Sequence, residues 1–305
     1  MPDPTEFAIT AAFGTALGIF ITATIARKLL GKNQAPARVA APAFADGAPL
    51  DAPIIHDLPL PKPVGRVSTS FYQALDLLGI GFIFTLFFGL AIGGIRASVK
   101  ADHTLNVNDL VHSIAFQFIT AGIVTSFVTS RVRAVEWLGL KWPEWRWVFL
   151  IAPGSVVGML LFFHGLQLSG FTQWIESFGI ETVQNTVKTL QTSDDPAIMG
   201  LMIVAAVIVA PICEEIVFRG YFYAAGKKFA GPWAAGICSA LVFGATHGNF
   251  AALLPLIVFG GVLVFVYEKT GSIWASMAVH CCFNGTTVLI QMIGRYYHLP
   301  LDGVS

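Results

Sequence analysis

The feature that most constrains this chain is its series of apolar runs of about twenty residues, the length that a helix needs to cross roughly 30 Å of hydrocarbon. Hydrophobic residues make up 55% of the 305 residues and charged residues only 12%, against about 25% charged in soluble domains. Eight runs can be read, at approximately 7–26, 71–95, 109–130, 147–168, 201–225, 232–249, 251–268 and 272–293. The pattern predicts an all-α, polytopic membrane helix bundle of about eight transmembrane helices.

The chain ahead of the main bundle divides into two parts. Residues 1–30 are predicted to form an N-terminal transmembrane anchor, because their basic residues follow the apolar run, the reverse of the order in a secretory signal. Residues 31–70 are rich in alanine and in prolines that prevent a regular helix, which predicts a flexible linker. Residues 71–295 then form the membrane-embedded bundle, with its motif core at 197–293.

The distribution of charge predicts an orientation. With the N-terminus outside and the eight runs alternating, the inner segments hold 14 Lys and Arg residues and the outer segments 4. Cytoplasmic loops carry an excess of such residues, so the split supports this topology in a bacterial inner membrane or a plasma membrane. A net charge of zero gives no sign of nucleic-acid binding. The four cysteines lie in apolar runs without C-x-x-C spacing and are interpreted as small hydrophobic residues.

The loop at 131–147 is rich in tryptophan and arginine. Its aromatic residues are Trp137, Trp142, Trp145 and Trp147. Tryptophan is enriched at the level of the lipid headgroups. We therefore interpret the loop as an interfacial aromatic belt.

Three charged residues interrupt the run at 201–225: Glu214, Glu215 and Arg219. A charge at the centre of a membrane helix costs at least about 2.5–3.5 kcal/mol on the insertion scale, so these side chains must face protein or a water-filled cavity. Glu215 and Arg219 are four residues apart and can pair on one helix face. Glu214 is rotated by about 100° from Glu215 and can point into a cavity. Pro211 frees a backbone carbonyl and can widen the helix. The alternative is a purely structural Glu–Arg pair, which leaves Glu214 unexplained.

Two later runs carry further polar residues. The run at 232–249 ends in Phe243-x-x-x-His247, and the run at 272–293 contains His280-x-x-x-Asn284. His280 and Asn284 project from one helical face. A single membrane histidine is more often a satisfied core residue, but two histidines, an amide and two carboxylates in consecutive runs favour a functional site.

These residue types suit hydrolysis in two ways. In one scheme Glu214 takes a proton from water with help from His247, while His280 and Asn284 donate to the oxyanion of a tetrahedral intermediate. In the other, Glu214, His247 and His280 bind a single zinc ion, with water as fourth ligand. The sequence leaves open whether the cofactor is zinc or none.

The three motifs resemble those of the CPBP family, which contains CAAX prenyl endopeptidases and the bacteriocin-processing or immunity-associated proteins also called Abi. The resemblance covers about residues 145–293. It implies that Glu214 acts with His247 on water, that His280 and Asn284 form the oxyanion site, and that Glu215 and Arg219 support the catalytic helix. It also implies a peptide or lipid-modified protein substrate and contact with membrane lipids. Members have been described both as metalloproteases and as glutamate-dependent enzymes.

The prediction is therefore a membrane-bound endopeptidase, CAAX-processing-like, with two alternatives. One is a non-enzymatic membrane scaffold or bacteriocin-immunity protein of the same family. The other is a transporter that uses the two glutamates as a proton site, although the halves show no convincing repeat. The predicted depths of three site residues in the membrane do not agree. Helix rise puts Glu214 near the centre of the membrane, His280 about 12 Å and His247 about 22 Å from the cytosolic edge.

Overall fold

The structure is a computed structural model that describes residues 3–31, 65–98, 105–180 and 185–298. Within these ranges every regular element is a helix, which confirms the all-α prediction. The helices are α1 (Pro4–Leu29), α2 (Asp76–Ser98), α3 (Val107–Thr129), α4 (Ala134–Trp137), α5 (Val148–Leu168), α6 (Phe171–Glu176), α7 (Asn185–Thr192), α8 (Pro196–Ala230), α9 (Pro232–Ala245), α10 (Phe250–Thr270) and α11 (Ile273–Tyr297).

Seven of the described helices are long and apolar enough to cross a membrane, with α5 extended by the turn Trp145–Trp147: α1, α2, α3, α5, α8, α10 and α11. The eighth predicted run is the shorter helix α9. Its 14 residues rise about 21 Å, less than the roughly 30 Å of a hydrocarbon core. The protein is thus an integral, multi-pass membrane protein with an all-α bundle. The outside position of the N-terminus stays a prediction.

Helix α8 is not a uniform α-helix. It contains two π-helical segments, Ala205–Val209 and Glu215–Tyr223, on either side of the short α-helical stretch Ala210–Glu214. Proline has no N–H, so an unbroken ladder of hydrogen bonds cannot run through Pro211. π-Helical turns widen a helix locally and are frequent at functional sites. The widening of this helix around Pro211 agrees with the prediction from the sequence.

Helix α1 packs into the bundle. The ring of Phe13 contacts those of Phe84 and Phe88, each with a centroid distance of 5.2 Å. The thiol of Cys238 on α9 donates to the carbonyl of Ala16 at 3.1 Å. Helix α1 therefore buries one face against α2 and α9 and is part of the packed core of the described structure. The sequence predicts instead an anchor that a linker separates from the bundle.

Most of the predicted linker at 31–70 lies outside the described residues. Its last residues are packed against the helices. The carbonyl of Val67 accepts a hydrogen bond from Lys227 Nζ at 3.0 Å, and the amide of Arg66 donates to the carbonyl of Glu268 at 3.3 Å. The boundary predicted at residue 71 therefore lies inside a packed segment that extends back at least to these two residues.

The aromatic loop divides into an exposed and a buried part. Trp145 and Trp147 are more than half exposed, as an interfacial belt requires. Trp137 is only 3% exposed, and its indole N–H bonds to Tyr72 Oη and to the carbonyl of Gly220. The belt interpretation is wrong for Trp137, because a buried indole N–H needs a partner and finds it inside the bundle.

Candidate active site

The predicted pair on α8 is present and fully enclosed. Arg219 Nη1 lies 2.9 Å from Glu215 Oε1, and neither side chain has any exposed surface. Nη2 of the same guanidinium donates to the carbonyl of Gly260 on α10 at 3.2 Å, and its carbon lies 4.3 Å from the centroid of the Phe243 ring. A buried charge is tolerated when it is paired and hydrogen-bonded in this way.

His280 on α11 lies between the two glutamates. Its Nδ1 is 2.9 Å from Glu215 Oε1, and its Nε2 is 3.9 Å from Glu214 Oε2. Because Oε1 of Glu215 also binds Arg219, this carboxylate is an acceptor and the Nδ1 atom of His280 carries the proton. The side chain of Glu214 is 23% exposed while that of Glu215 is fully buried, so the two carboxylates face different surroundings, as their rotation on the helix predicts.

His247 reaches the same cluster from the end of α9. Its Nδ1 lies 2.9 Å from the carbonyl of Phe243, which can only accept, so Nδ1 carries a proton and the neutral ring has its lone pair at Nε2. The Phe243 ring contacts the imidazoles of His247 and His280, at centroid distances of 5.2 and 5.8 Å. The ring of Phe243 therefore contacts both histidines and Arg219.

The conflict over the depths of Glu214 and His247 comes from the predicted helix ends. Helix α8 continues to Ala230, and Gly231, at φ 87°, turns the chain directly into α9. Glu214 precedes this turn and His247 follows it by nearly equal lengths of chain, about 24–26 Å each at the rise of an α-helix, with His247 just beyond the end of α9. Adjoining helices that start from one tight turn place these two residues at similar heights.

Asn284 binds a backbone carbonyl of α8, a contact that its predicted role in the oxyanion site does not require. Its Nδ2 donates to the carbonyl of Ala206 in the first π-helical segment at 2.8 Å. The α-helical donor for this carbonyl would be the amide of Ala210, which bonds to Ala205 instead, and the π-helical donor would be Pro211, which has no N–H. One N–H of Asn284 thus replaces a backbone donor, and the amide retains a second N–H.

Two buried polar atoms of the cluster, Glu215 Oε2 and Arg219 Nε, have no hydrogen-bond partner among the described residues. Most buried polar groups in folded proteins are hydrogen-bonded. Both atoms belong to the residues that the sequence assigns to support.

The three-ligand zinc site is not assembled in this structure. Across the described residues, no group of three or more His, Cys, Asp or Glu side chains could hold a metal ion. Glu214 Oε2 and His280 Nε2 lie 3.9 Å apart, but His247 does not complete a group of three with them. As placed, the three residues do not form the His₂Glu set that the sequence leaves open.

Two further residues shape the site. Phe243 is part of the Phe243-x-x-x-His247 motif, but its contacts with Arg219 and both histidines follow only from packing. Gly260 is needed because a Cβ there would lie 3.1 Å from Ala240 Cα. A glycine inside an apolar helix is a signal of close backbone approach, so this position could have been flagged.

Comparison with known proteins adds to this geometry. Residues 196–286 match the family described as "Type II CAAX prenyl endopeptidase Rce1-like", a range that includes all six predicted site residues. Over this segment the chain is similar to the CAAX prenyl endopeptidases of the CPBP family. The chain is also 30% identical over 131 residues to YdiL of Bacillus subtilis (strain 168). The name of that curated protein describes it provisionally as a membrane peptidase. No solved structure matches the chain.

These two matches confirm the resemblance to the CPBP family that the three motifs indicate. The match to YdiL covers 43% of this chain and 54% of the relative, so the two proteins correspond over about half of their lengths. The Rce1-like match begins at the start of α8. Helices α1 to α7 precede it, and Tyr72, Trp137 and the packed end of the linker belong to that part.

Proposed function

We propose that the chain is an intramembrane endopeptidase that hydrolyses a peptide bond near the membrane, in a C-terminal segment, a lipid-modified protein or a small membrane peptide. The observation that carries the proposal is the approach of Glu214 Oε2 to His280 Nε2 at 3.9 Å, within a buried Glu–Arg–His cluster of the segment that matches the Rce1-like family. Membrane lipids are the other proposed partners. The proposed location is a bacterial inner membrane or a plasma membrane, with the N-terminus outside.

In the proposed mechanism, the carboxylate of Glu214 takes a proton from a water molecule as the water oxygen adds to the peptide carbonyl carbon. The free Nε2 lone pair of His247 accepts a hydrogen bond from the same water and orients it. Glu214 then passes its proton to the leaving nitrogen as the carbon–nitrogen bond breaks. The products are a new carboxyl group and a new amine, so the proton is returned and the site is regenerated.

Two donors serve the developing oxyanion in this scheme. When His280 carries both ring protons, Glu215 holds Nδ1–H and leaves Nε2–H to donate. Asn284 donates through the N–H that Ala206 does not use. Donors that are already fixed stabilise the tetrahedral intermediate without reorganisation during the reaction.

Glu215 and Arg219 support the site and do not contact the reacting atoms. Oε1 of Glu215 accepts from both Arg219 and His280, so it fixes the tautomer and the orientation of the imidazole. Arg219 compensates the buried charge of Glu215 and joins α8 to α10 through Gly260. A buried carboxylate without its arginine would be strongly destabilising.

The test uses the purified full chain in lipid nanodiscs with two probe peptides. One carries a farnesylated cysteine followed by three residues, and the other has the same sequence without the lipid. Mass spectrometry identifies the cleavage products of the wild type, of Glu214→Gln and of the exposed control Glu136→Gln, each with and without 1,10-phenanthroline.

We expect cleavage by the wild type and by Glu136→Gln in both conditions, and none by Glu214→Gln. Full activity of Glu214→Gln would refute the assignment of Glu214. Loss of wild-type cleavage with the chelator would refute the metal-free scheme. Absence of cleavage by the wild type on both probes, together with phenotypic rescue by Glu214→Gln in cells, would favour the scaffold or immunity protein.

A further inference from the structure

The carbonyl of Gly220, one residue after Arg219, accepts two side-chain hydrogen bonds from outside its helix. Tyr72 Oη donates to it at 2.6 Å, and Trp137 Nε1 donates to it at 2.8 Å. The indole N–H is shared with Tyr72 Oη, which lies 2.9 Å away. Both rings are almost fully buried. A main-chain carbonyl within a helix rarely needs two such partners, because the helix itself supplies a donor.

The carbonyl of Gly220 lies in the second π-helical segment, where the α-helical hydrogen-bond pattern is interrupted. In an α-helix the amide of Ala224 would donate to Gly220, but here it bonds to the carbonyl of Tyr221. The α-helical donor of Gly220 is therefore used elsewhere, and Tyr72 and Trp137 bind the carbonyl from outside the helix. The contact is close on all sides, since a Cβ on Gly220 would lie 2.8 Å from Leu138 Cδ2.

A similar arrangement is present in the first π-helical segment of α8, Ala205–Val209. There the amide of Ala210 bonds to Ala205, and the carbonyl of Ala206 is bound by Asn284 from α11. Glu214, Glu215 and Arg219 lie between these two carbonyls. The helix that carries them departs from the α-helical register at two places, and side chains from other elements bind a carbonyl at each place.

We infer that Tyr72 and Trp137 are positioning residues for the proposed peptidase site. By binding the carbonyl of Gly220 they stabilise the π-helical segment Glu215–Tyr223, in which Glu215 pairs with Arg219 and contacts His280. This inference rests on the proposed function. Neither residue touches the six predicted site residues in the hydrogen bonds above, and both precede the segment matched by the Rce1-like family. The chain thus completes its site with two side chains from its N-terminal half.

Further hydrogen bonds connect the chain at Tyr72 and Trp137 to α8 and α11. The carbonyl of Leu138, next to Trp137, accepts from the amide of Ile273 at 2.9 Å, at the start of the helix that carries His280. The carbonyl of Tyr72 accepts from the side chain of Lys228 in α8. The two donors are therefore fixed relative to both α8 and α11, the helices whose contact forms the site.

The experiment compares Tyr72→Phe, Trp137→Phe and the double variant with matched controls, Tyr296→Phe and Trp145→Phe, which change the same residue types at exposed positions. Cleavage of the farnesylated probe gives kcat and KM for each. Because either donor alone can still bind Gly220, each single variant should lower kcat only about threefold, and the double variant about tenfold to a hundredfold. KM should stay within about twofold, since uniform substrate binding is unchanged.

Hydrogen–deuterium exchange of residues 215–225 is measured on the same proteins and needs no substrate. The double variant should exchange faster in this segment and at the wild-type rate in α10, whereas general unfolding would raise both. Wild-type exchange and kcat in the double variant, alongside an inactive Glu214→Gln, would overturn the inference and leave the proposed function intact. An active Glu214→Gln would instead refute the proposed function, and exchange alone would then decide whether the two donors hold the segment.

Discussion

One carboxylate oxygen of Glu215 binds His280 Nδ1 at 2.9 Å while it also binds Arg219 Nη1 at 2.9 Å. A single atom thus connects the charged residues of α8 to the histidine of α11. All three side chains are almost or fully buried. The geometry of His280 toward Glu214 therefore depends on the charge and shape of its neighbour Glu215.

Replacing Glu215 should be costly for this reason. Glu215→Gln leaves Arg219 as a buried charge without its partner, and we expect a loss of about 3–5 kcal/mol in the free energy of unfolding. It also replaces the charged acceptor that orients His280 by a neutral amide, which binds an N–H less strongly, so kcat should fall. Unfolding in mixed detergent, followed by circular dichroism, measures the first effect.

Glu136→Gln is the matched control for Glu215→Gln. Glu136 pairs with Arg133 on the surface, with side chains 52% and 82% exposed. Its loss should change the free energy of unfolding by less than about 1 kcal/mol. Equal effects of the two substitutions would contradict the buried-pair interpretation.

Asn284 and Pro211 should be energetically coupled. Asn284→Ala leaves the carbonyl of Ala206 unpaired and should cost about 1–3 kcal/mol of unfolding free energy. In the Pro211→Ala background residue 211 regains an N–H that can bind this carbonyl, so the same substitution should cost about 1 kcal/mol less. A double-mutant cycle measures the difference, and strict additivity would argue against a shared carbonyl.

Adjacent glycines in α10 offer a sharp comparison. A Cβ on Gly260 would lie 3.1 Å from both Ala240 Cα and Phe243 Cδ1, whereas one on Gly261 meets nothing within 4 Å. Gly260→Ala should therefore destabilise the protein by about 1–3 kcal/mol and lower kcat, because it displaces the ring that contacts both histidines. Gly261→Ala should be neutral or stabilise the helix by up to about 1 kcal/mol. Equal melting temperatures would count against this close approach of α9 and α10.

The substitution His247→Asn separates the structural role of His247 from its proposed chemical role. In His247→Asn the side-chain amide can still donate to the carbonyl of Phe243, in place of Nδ1, but no Nε2 lone pair remains. We expect the melting temperature to be preserved and kcat to fall by about 10²–10⁴. Thermal unfolding and cleavage of the farnesylated probe are measured in parallel. Wild-type kcat in this variant would exclude His247 from the chemistry.

Local spacing made part of the site predictable. Glu215 and Arg219 pair because residues four apart share a helix face, and Glu214 differs from Glu215 in exposure because successive residues point in different directions. The apolar runs likewise predicted the spanning helices, apart from the short α9. These properties depend on neighbours within one helix, so they can be read without knowing the fold.

The order of the three motifs in the sequence was sufficient to predict the resemblance to the CPBP family and the six candidate site residues. Only the tertiary structure decided how they meet: Phe243 between the histidines, Asn284 on the carbonyl of Ala206, and Tyr72 with Trp137 on Gly220. The physical reason is that, where helix α8 departs from the α-helical register, backbone carbonyls bind side chains that come from distant parts of the chain. Sequence spacing specifies which face a side chain occupies, and packing alone specifies which atom lies opposite it.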